Sequence, residues 1–189
     1  MFSGFFLDRK KYLEYIKTDY EFNASFRGSK VLPKKFLKSI EWKTIKCYRK
    51  YQANIDNIWK KYYLRKLEKM EHRTGINFEG NANIGKGLII GHWGRIVING
   101  QARFGDNVFI THGVTIGRDV RGKRKGVPTI GNKVCIRANS TIVGNVTIGN
   151  DVLIAPNTFV NFDVPDHSIV IGNPATIHYR ENATEGHLG

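Results

Sequence analysis

The sequence is poor in the residues that cross-link or interrupt small domains. Its 189 residues include two cysteines and five prolines. No apolar run approaches the roughly 18 residues of a membrane span. Cys47 and Cys135 lie far apart and form no CxxC pair, which argues against a disulfide framework or a zinc site. The opening MFSGFFLDRKK lacks the basic-then-apolar order of a secretory signal. We therefore expect a cytoplasmic protein without a bound metal.

Acidic residues are also scarce, and the imbalance lies in one part of the chain. Thirty Lys and Arg stand against sixteen Asp and Glu, a net charge of +14. Residues 1–74 hold nineteen basic and eight acidic residues, whereas the other 115 residues hold eleven and eight. Such a surface is either simply solvated or faces an anionic partner such as a lipid, a polyanionic substrate or nucleic acid.

Helical periodicity covers residues 8–72. One amphipathic helix is predicted from apolar residues at three- and four-residue steps with lysines and arginines between them. These residues are Ile55, Trp59, Tyr63, Leu67 and Met70. An earlier helix over 36–48 follows Pro33, a favoured first-turn residue, and a shorter one is predicted around 12–16. Gly75 ends this basic N-terminal helical region, which we assign to residues 1–74.

Beyond Gly75 the apolar period becomes six. The thirteen apolar anchors are Phe78, Ile84, Ile90, Ile98, Phe104, Ile110, Ile116, Ile130, Ile136, Ile142, Ile148, Ile154 and Val160. Gly, Asn and Asp crowd the positions between them, as in VGNVTIGNDV. A six-residue repeat predicts a β-helix, in which each hexad is one strand and one turn and three hexads complete a coil. We predict a mainly β domain over 75–178 and a tail over 179–189.

Two steps break the six-residue period. The first spans eight residues and contains GHWGR, and the second spans fourteen and contains the basic stretch GRDVRGKRKGVPT. Extra residues in a solenoid collect on one face, often the binding face. His92 lies in the first break, so it becomes the candidate general base, for which a side chain titrating near neutral pH is suited. His112, in THGVTIG, is the rival base.

The repeat region resembles the hexapeptide-repeat acyltransferases over about residues 74–178. The resemblance rests on GLIIGHWGRIVINGQARFGDNVFITHGVTIG, VPTIGNKVCIRANSTIVGNVTIGNDVLIAPNTFV and VPDHSIVIGNPA. Within the family it is similar to the serine acetyltransferase branch, and there to members of polysaccharide biosynthesis with a GKRKG-like loop. The resemblance implies a left-handed parallel β-helix, although the general rule for crossovers predicts right-handed coils. It also implies homotrimers that bind the co-substrate acetyl-CoA between neighbouring prisms.

The resemblance also assigns catalytic roles. An Asp-His-Ala-Thr-Gly motif carries the base in the serine acetyltransferase branch, and Gly91-His92-Trp93-Gly94 stands in its place here. His92 is the matching histidine. An acid some fifteen residues earlier orients the base in the family, and Asn77 occupies that position.

Departures from the motif bear on the acceptor. The aspartate before the base is Gly91, and the family's serine-binding Arg-His pair is replaced by Gly126 and Val127. Without these charges a serine zwitterion has no evident partners, and burying unpaired charge is costly. Trp93 beside the base suits a sugar ring. Substrate contacts are predicted at Trp93, His112 and Glu79, the last also as an alternative group that orients the base.

Further positions are expected to bind acetyl-CoA. Cations of the long loop would contact the coenzyme phosphates, and several repeat residues match groove-lining positions of the family. The loop cations are Arg121, Lys123, Arg124 and Lys125, and the groove positions are Ala138, Pro156, Asn161 and Gly172. His167 is expected to be structural.

Together these observations predict an acetyl-CoA-dependent acetyltransferase acting on a hydroxyl of a sugar or polysaccharide. Two alternatives stay open: a serine O-acetyltransferase of cysteine biosynthesis, and a non-catalytic β-helix module. The expected partners are two further copies of the chain, acetyl-CoA, a glycan acceptor, and the inner membrane face or a lipid-linked glycan held by the basic helices. No nucleic-acid partner is expected.

Overall fold

The computed structural model describes residues 9–79 and 82–188. The predicted absence of a signal sequence concerns residues 1–8, which lie outside the described residues, as do residues 80, 81 and 189. The helices are α1 (Arg9–Ser25), α2 (Lys34–Leu37), α3 (Ile40–Gln52) and α4 (Lys60–Thr74). None of these helices has the length and apolar character that a membrane span requires.

Three helix predictions need correction. The helix predicted around 12–16 as a shorter one is the longest of the described helices, because it continues to Ser25. The helix predicted over 36–48 is divided between α2 and α3, because Ser39 caps α3 with its hydroxyl, which accepts a hydrogen bond from the Trp42 N–H at 3.2 Å. The last helix starts at Lys60, so Ile55 and Trp59 lie in the turns before it. Its end is confirmed: Gly75 has φ 67°, a left-handed conformation that suits glycine and terminates α4.

Short strands and turns make up the repeat region. In chain order the strands are β1 (Ile76–Phe78), β2 (Asn83–Ile84), β3 (Ile89–Ile90), β4 (Ile96–Ile98), β5 (Arg103–Phe104), β6 (Phe109–Ile110), β7 (Thr115–Gly117), β8 (Thr129–Ile130), β9 (Val134–Ile136), β10 (Thr141–Val143), β11 (Thr147–Ile148), β12 (Val152–Ile154), β13 (Phe159–Val160), β14 (Ser168–Gly172) and β15 (Ala175–Tyr179). Every third strand pairs in parallel, which confirms the predicted parallel β-helix of about five turns. Its left-handed winding stays a prediction of the resemblance.

Three sheets form the faces of the prism. Sheet 1 has the order β1-β4-β7-β10-β13, sheet 2 the order β11-β8-β5-β2, and sheet 3 the order β15-β14-β12-β9-β6-β3, in which β15 alone is antiparallel. All thirteen predicted anchors point inward, and none is more than 7% exposed. The hexad period therefore specifies the core directly, since one inward side chain per strand stacks on its counterpart in the next coil.

The helical region closes one end of the prism. Tyr48 of α3 donates its hydroxyl to the Ala82 carbonyl at 2.7 Å, and its oxygen accepts the Ile84 N–H at 3.2 Å. Arg49 forms a fully buried ion pair with Asp19 of α1, at 2.7 Å. Asp19 also accepts the backbone N–H groups of Gly87 and Leu88 at 2.9 Å each. These contacts satisfy backbone groups of the first coil that no preceding coil can pair.

Candidate active site

One corner of the prism carries five predicted site residues in a single column. They stand where sheet 3 leads into sheet 1, each two residues after a position paired in sheet 3. The members, which we call the histidine column, are His92, His112, Ala138, Pro156 and Gly172. Backbone hydrogen bonds of 2.9–3.1 Å link successive turns along this corner. The column thus presents two imidazole rings above a strip of small or cyclic residues.

His92 lies in an enlarged turn between β3 and β4. The turn is two residues longer than its counterpart in the next coil, as the eight-residue step predicted. Gly94 and Arg95 have φ 114° and 45°, and the Gly94 carbonyl accepts the Gly113 N–H of the next coil at 3.0 Å. His92 is exposed, and Trp93 beside it is 55% exposed. The turn therefore exposes the His92 ring on a backbone that is hydrogen-bonded to the next coil.

His112 occupies the next place in the column. Its ring lies 5.9 Å from the His92 ring, centroid to centroid, in an edge-to-face arrangement at 67°. Within the described residues neither ring makes a hydrogen bond. Both rings are therefore free to accept a proton or bind a ligand, and the geometry brings together the two histidines that the sequence singled out.

Asn77 and Glu79 have other partners than His92. The Asn77 amide donates to the Glu71 carboxylate at 2.7 Å, and the Glu79 carboxylate accepts the Gly100 N–H at 3.0 Å. Among the described residues neither side chain is hydrogen-bonded to His92. Their roles as groups that orient the base stay predictions.

The long loop between β7 and β8 folds as a small hairpin. Asp119 and Gly126 exchange two backbone hydrogen bonds of 2.9 and 3.0 Å. Arg124 turns back to the prism, where it pairs with Asp163 at 3.2 Å. Arg121, Lys123 and Lys125 are exposed and form no ion pair with the described residues. The four predicted coenzyme contacts therefore divide into one cation held by the fold and three that are free.

Asn161 lies apart from the histidine column. It follows β13 on the outer face of sheet 1, in the register position that Glu79 occupies four coils earlier. Gly172 belongs to the column and donates its N–H to the Thr158 hydroxyl at 3.1 Å, with φ 99°. The structure thus gathers most, but not all, of the predicted groove positions at one corner.

A groove beside the column contains two charged residues that the sequence analysis missed. Glu71 near the end of α4 and Arg95 of the enlarged turn both line it. Arg95 stands in a glycine-rich turn at the first break in the period, and that was the available signal. Nothing in the pattern of α4 marks Glu71, because its place beside the turn follows from how the helix packs.

Comparisons with known proteins bear on the family and the fold. A family model described as bacterial transferase hexapeptide (six repeats) matches residues 128–161. Serine acetyltransferase of Helicobacter pylori is 40% identical over 102 residues, which are 54% of this chain and 60% of the relative. The chain is therefore similar to serine acetyltransferases, and part of its repeat region matches the hexapeptide transferase family.

Solved structures agree on the fold. The soybean serine acetyltransferase apoenzyme superposes with a TM-score of 0.78 at 25% identity, covering 89% of this chain and 69% of its own. A serine acetyltransferase in complex with CoA gives a TM-score of 0.78 at 22% identity, covering 89% and 70%. The chain spans about 60% of the length of the Helicobacter pylori relative that it matches. These relatives are serine acetyltransferases.

Packing accounts for two of the uncharged residues at which the sequence departs from the motif, Gly91 and Gly126. A Cβ atom on Gly91 would lie 2.7 Å from the Phe109 ring, and one on Gly126 would lie 2.9 Å from the Asn145 Cβ. An aspartate or arginine at these positions would collide with its neighbours. Any charges that hold the acceptor must therefore come from other residues.

Proposed function

We propose that this chain transfers an acetyl group from acetyl-CoA to a hydroxyl group, with His92 as the general base. The observation that carries the proposal is the exposed pair of rings, His92 and His112, 5.9 Å apart at the head of the histidine column and without a hydrogen bond to any described residue. The named relatives, which are serine acetyltransferases, support the reaction type. His112 is assigned to lining the groove.

The chemistry needs few groups. His92 takes the proton of the acceptor hydroxyl as its oxygen attacks the thioester carbon. Collapse of the tetrahedral intermediate breaks the carbon–sulfur bond, and His92 returns the proton to the departing thiolate. Backbone N–H groups of the glycine-rich turns would stabilise the oxyanion. The products are the O-acetyl ester and free CoA, so protons and electrons balance.

We propose that acetyl-CoA lies along the strip below the two histidines. Ala138, Pro156 and Gly172 leave that side of the column without bulky side chains. The free loop cations would bind the anionic phosphates. We propose that a neighbouring copy in a homotrimer forms the other wall of this groove. The predicted cytoplasmic location, membrane contact and absence of a nucleic-acid partner stay predictions.

L-Serine is the acceptor that we propose. The serine acetyltransferase relatives at 40% identity favour it over the sugar predicted from the sequence. A sugar hydroxyl is the second candidate, and the observation in its favour is Trp93, a 55% exposed indole beside the base that could stack on a sugar ring.

The test is thiol release from acetyl-CoA with each acceptor in turn. L-Serine at millimolar concentration should give turnover, whereas neutral mono- and oligosaccharides should give none. Turnover with a sugar alone would reverse the choice of acceptor. Acetyl-CoA that neither binds nor turns over with any acceptor would reject the enzyme and leave the non-catalytic β-helix module.

A further inference from the structure

A groove between α4 and the enlarged turn lies beside the histidine column. Its volume is about 570 Å³, and its lining includes Glu71, His72, Asn77, Arg95, Thr115 and Asn139. Arg95 is three residues after His92, and the groove reaches Gly113, which directly follows His112. A pocket of this size accommodates a small molecule, and its lining residues include close sequence neighbours of both histidines.

The end of α4 is held firmly against the enlarged turn. The Gly75 carbonyl accepts the Ile96 N–H at 2.9 Å, and a Cβ atom on Gly75 would lie 2.9 Å from the Arg95 nitrogen. This close approach fixes the last turn of α4 over the backbone that carries His92 and Arg95. The groove is therefore a feature of the packed fold.

Arg95 has a conformation that its side chain does not favour. Its φ is 45°, in the left-handed region where glycine is accommodated without strain and a residue with a Cβ is not. The side chain is exposed and makes no hydrogen bond or ion pair with the described residues. An arginine that strains the backbone without a hydrogen bond or ion pair to the described residues points to a role in binding.

Glu71 offers the opposite charge across the same groove. One carboxylate oxygen accepts the Asn77 amide at 2.7 Å, while the other has no donor among the described residues. Glu71 and Arg95 do not pair with each other, so each has capacity for a ligand. Among the described lining residues Arg95 is the one permanently charged cation and Glu71 the one carboxylate.

We propose that Arg95 binds the carboxylate of the acceptor and that Glu71 binds its ammonium group. The inference rests on the proposed function and names the residues that give it specificity. A guanidinium matches a carboxylate with two parallel hydrogen bonds, and a carboxylate accepts from an ammonium group. The pair supplies the charges that steric contact excludes at Gly91 and Gly126, so a zwitterion enters the groove without unpaired charge.

The test compares Arg95→Gly with the wild type, because glycine relieves the backbone strain while removing the cation. The KM for L-serine should rise about 10- to 100-fold, the range for a lost charge-assisted hydrogen bond. The KM for acetyl-CoA should be unchanged. Arg103→Gln, which removes an exposed cation on sheet 2, is the matched control and should leave both constants as they are.

Two substrate analogues separate the roles. L-Serinamide lacks the carboxylate, so the wild type and Arg95→Gly should use it equally well. 3-Hydroxypropionate lacks the ammonium group, so Glu71→Gln should leave its KM unchanged while raising that for L-serine. An acidic sugar that depends on Arg95 but not on Glu71 would overturn the amino-acid assignment. Unchanged KM for L-serine in Arg95→Gly would overturn the proposal while leaving the proposed function intact.

Calorimetric titration of L-serine provides a readout that does not need turnover. Binding to the wild type that is lost in Arg95→Gly would support the groove even if no acetyl transfer is found. Equal binding to both proteins, or none to either, would overturn it. A thermal melt of each variant checks that the fold is retained.

Discussion

Two corners of the same prism carry histidines in opposite situations. At the histidine column, His92 and His112 are exposed, and neither ring has a hydrogen-bond partner among the described residues. At the corner between sheets 2 and 3, the His167 Nδ1 lies 2.9 Å from the Asp151 carboxylate. Asp151 also accepts the Ala183 and Thr184 N–H groups and the Thr184 hydroxyl, at 2.6–3.1 Å. The His167 ring is thus tied to an anchored carboxylate, whereas the two rings of the histidine column have no such contact among the described residues.

The positions of α1 and the C-terminal tail explain the difference between these two corners. The outer face of sheet 3 is apolar, and α1 and the C-terminal tail cover it. This cluster comprises Ile89, Phe109, Cys135, Leu153 and Leu188, with Phe22, Phe26 and Ile169 packed against it. The tail reaches the cluster by passing Asp151, which anchors it. Burial also raises the pKa of the Cys135 thiol to about 11, so that thiol is unreactive at neutral pH.

The sharpest test of the contrast is His92→Ala. Loss of the general base should lower kcat by about 10²- to 10⁴-fold. The melting temperature should stay unchanged, because the exposed ring contributes little to packing. His112→Ala is the matched variant and should have a much smaller effect on kcat. If the two effects are reversed, His112 is the base.

Asp151→Ala should affect stability and leave catalysis intact. The substitution leaves the buried N–H groups of Ala183 and Thr184 without an acceptor, which should cost about 2–4 kcal/mol in the free energy of unfolding. Urea denaturation measures this loss, and kcat should stay within about threefold where the variant is folded. A large fall in kcat of the folded variant would show that the two corners are coupled.

The pH dependence of the free energy of unfolding should reveal the contribution of Asp151. Burial acts to raise the pKa of Asp151, but hydrogen bonds from Thr184, His167 and the backbone outweigh it and lower the pKa from 3.8 to about 2. The folded state thus favours the carboxylate, which contributes about 2 kcal/mol of stability. This contribution is complete above the unfolded pKa and is lost as pH falls from about 4 to 2.

Urea unfolding between pH 6 and pH 2 measures this loss. The wild type should lose more stability over the interval than Asp151→Asn, which has no titrating group at this position. Parallel curves for the two proteins would contradict the assignment of the low pKa to Asp151.

The smallest expected effect concerns the loop cations, of which Arg124 pairs with Asp163 and the other three form no ion pair with the described residues. Replacing the free Arg121, Lys123 and Lys125 with alanine should raise the KM for acetyl-CoA several-fold and weaken its salt dependence, because exposed charges are screened. Arg124→Ala loses the pair with Asp163 and should alter the loop more than the affinity. Unchanged affinity in the triple variant would remove the loop from the coenzyme site.

Most of the fold could be predicted from the sequence, because the β-helix is a local repeat. Each hexad places one side chain inward regardless of its distant neighbours, and all thirteen anchors are buried as predicted. The turn that carries His92 was equally visible, because it interrupts the period. The boundary between α2 and α3 was less visible, since Ser39 as a helix cap competes with a continuous apolar pattern.

The sequence by itself determined the prism, its core and the column on which His92 and His112 stand, since register along a solenoid follows from counting residues. Only the tertiary structure decided which polar groups stay free. The packing of α4 brings Glu71 to the groove of Arg95, and the returning tail engages Asp151 and, through it, His167. These contacts join segments far apart in the chain with no shared period, so they depend on how helices and tail pack on the finished prism.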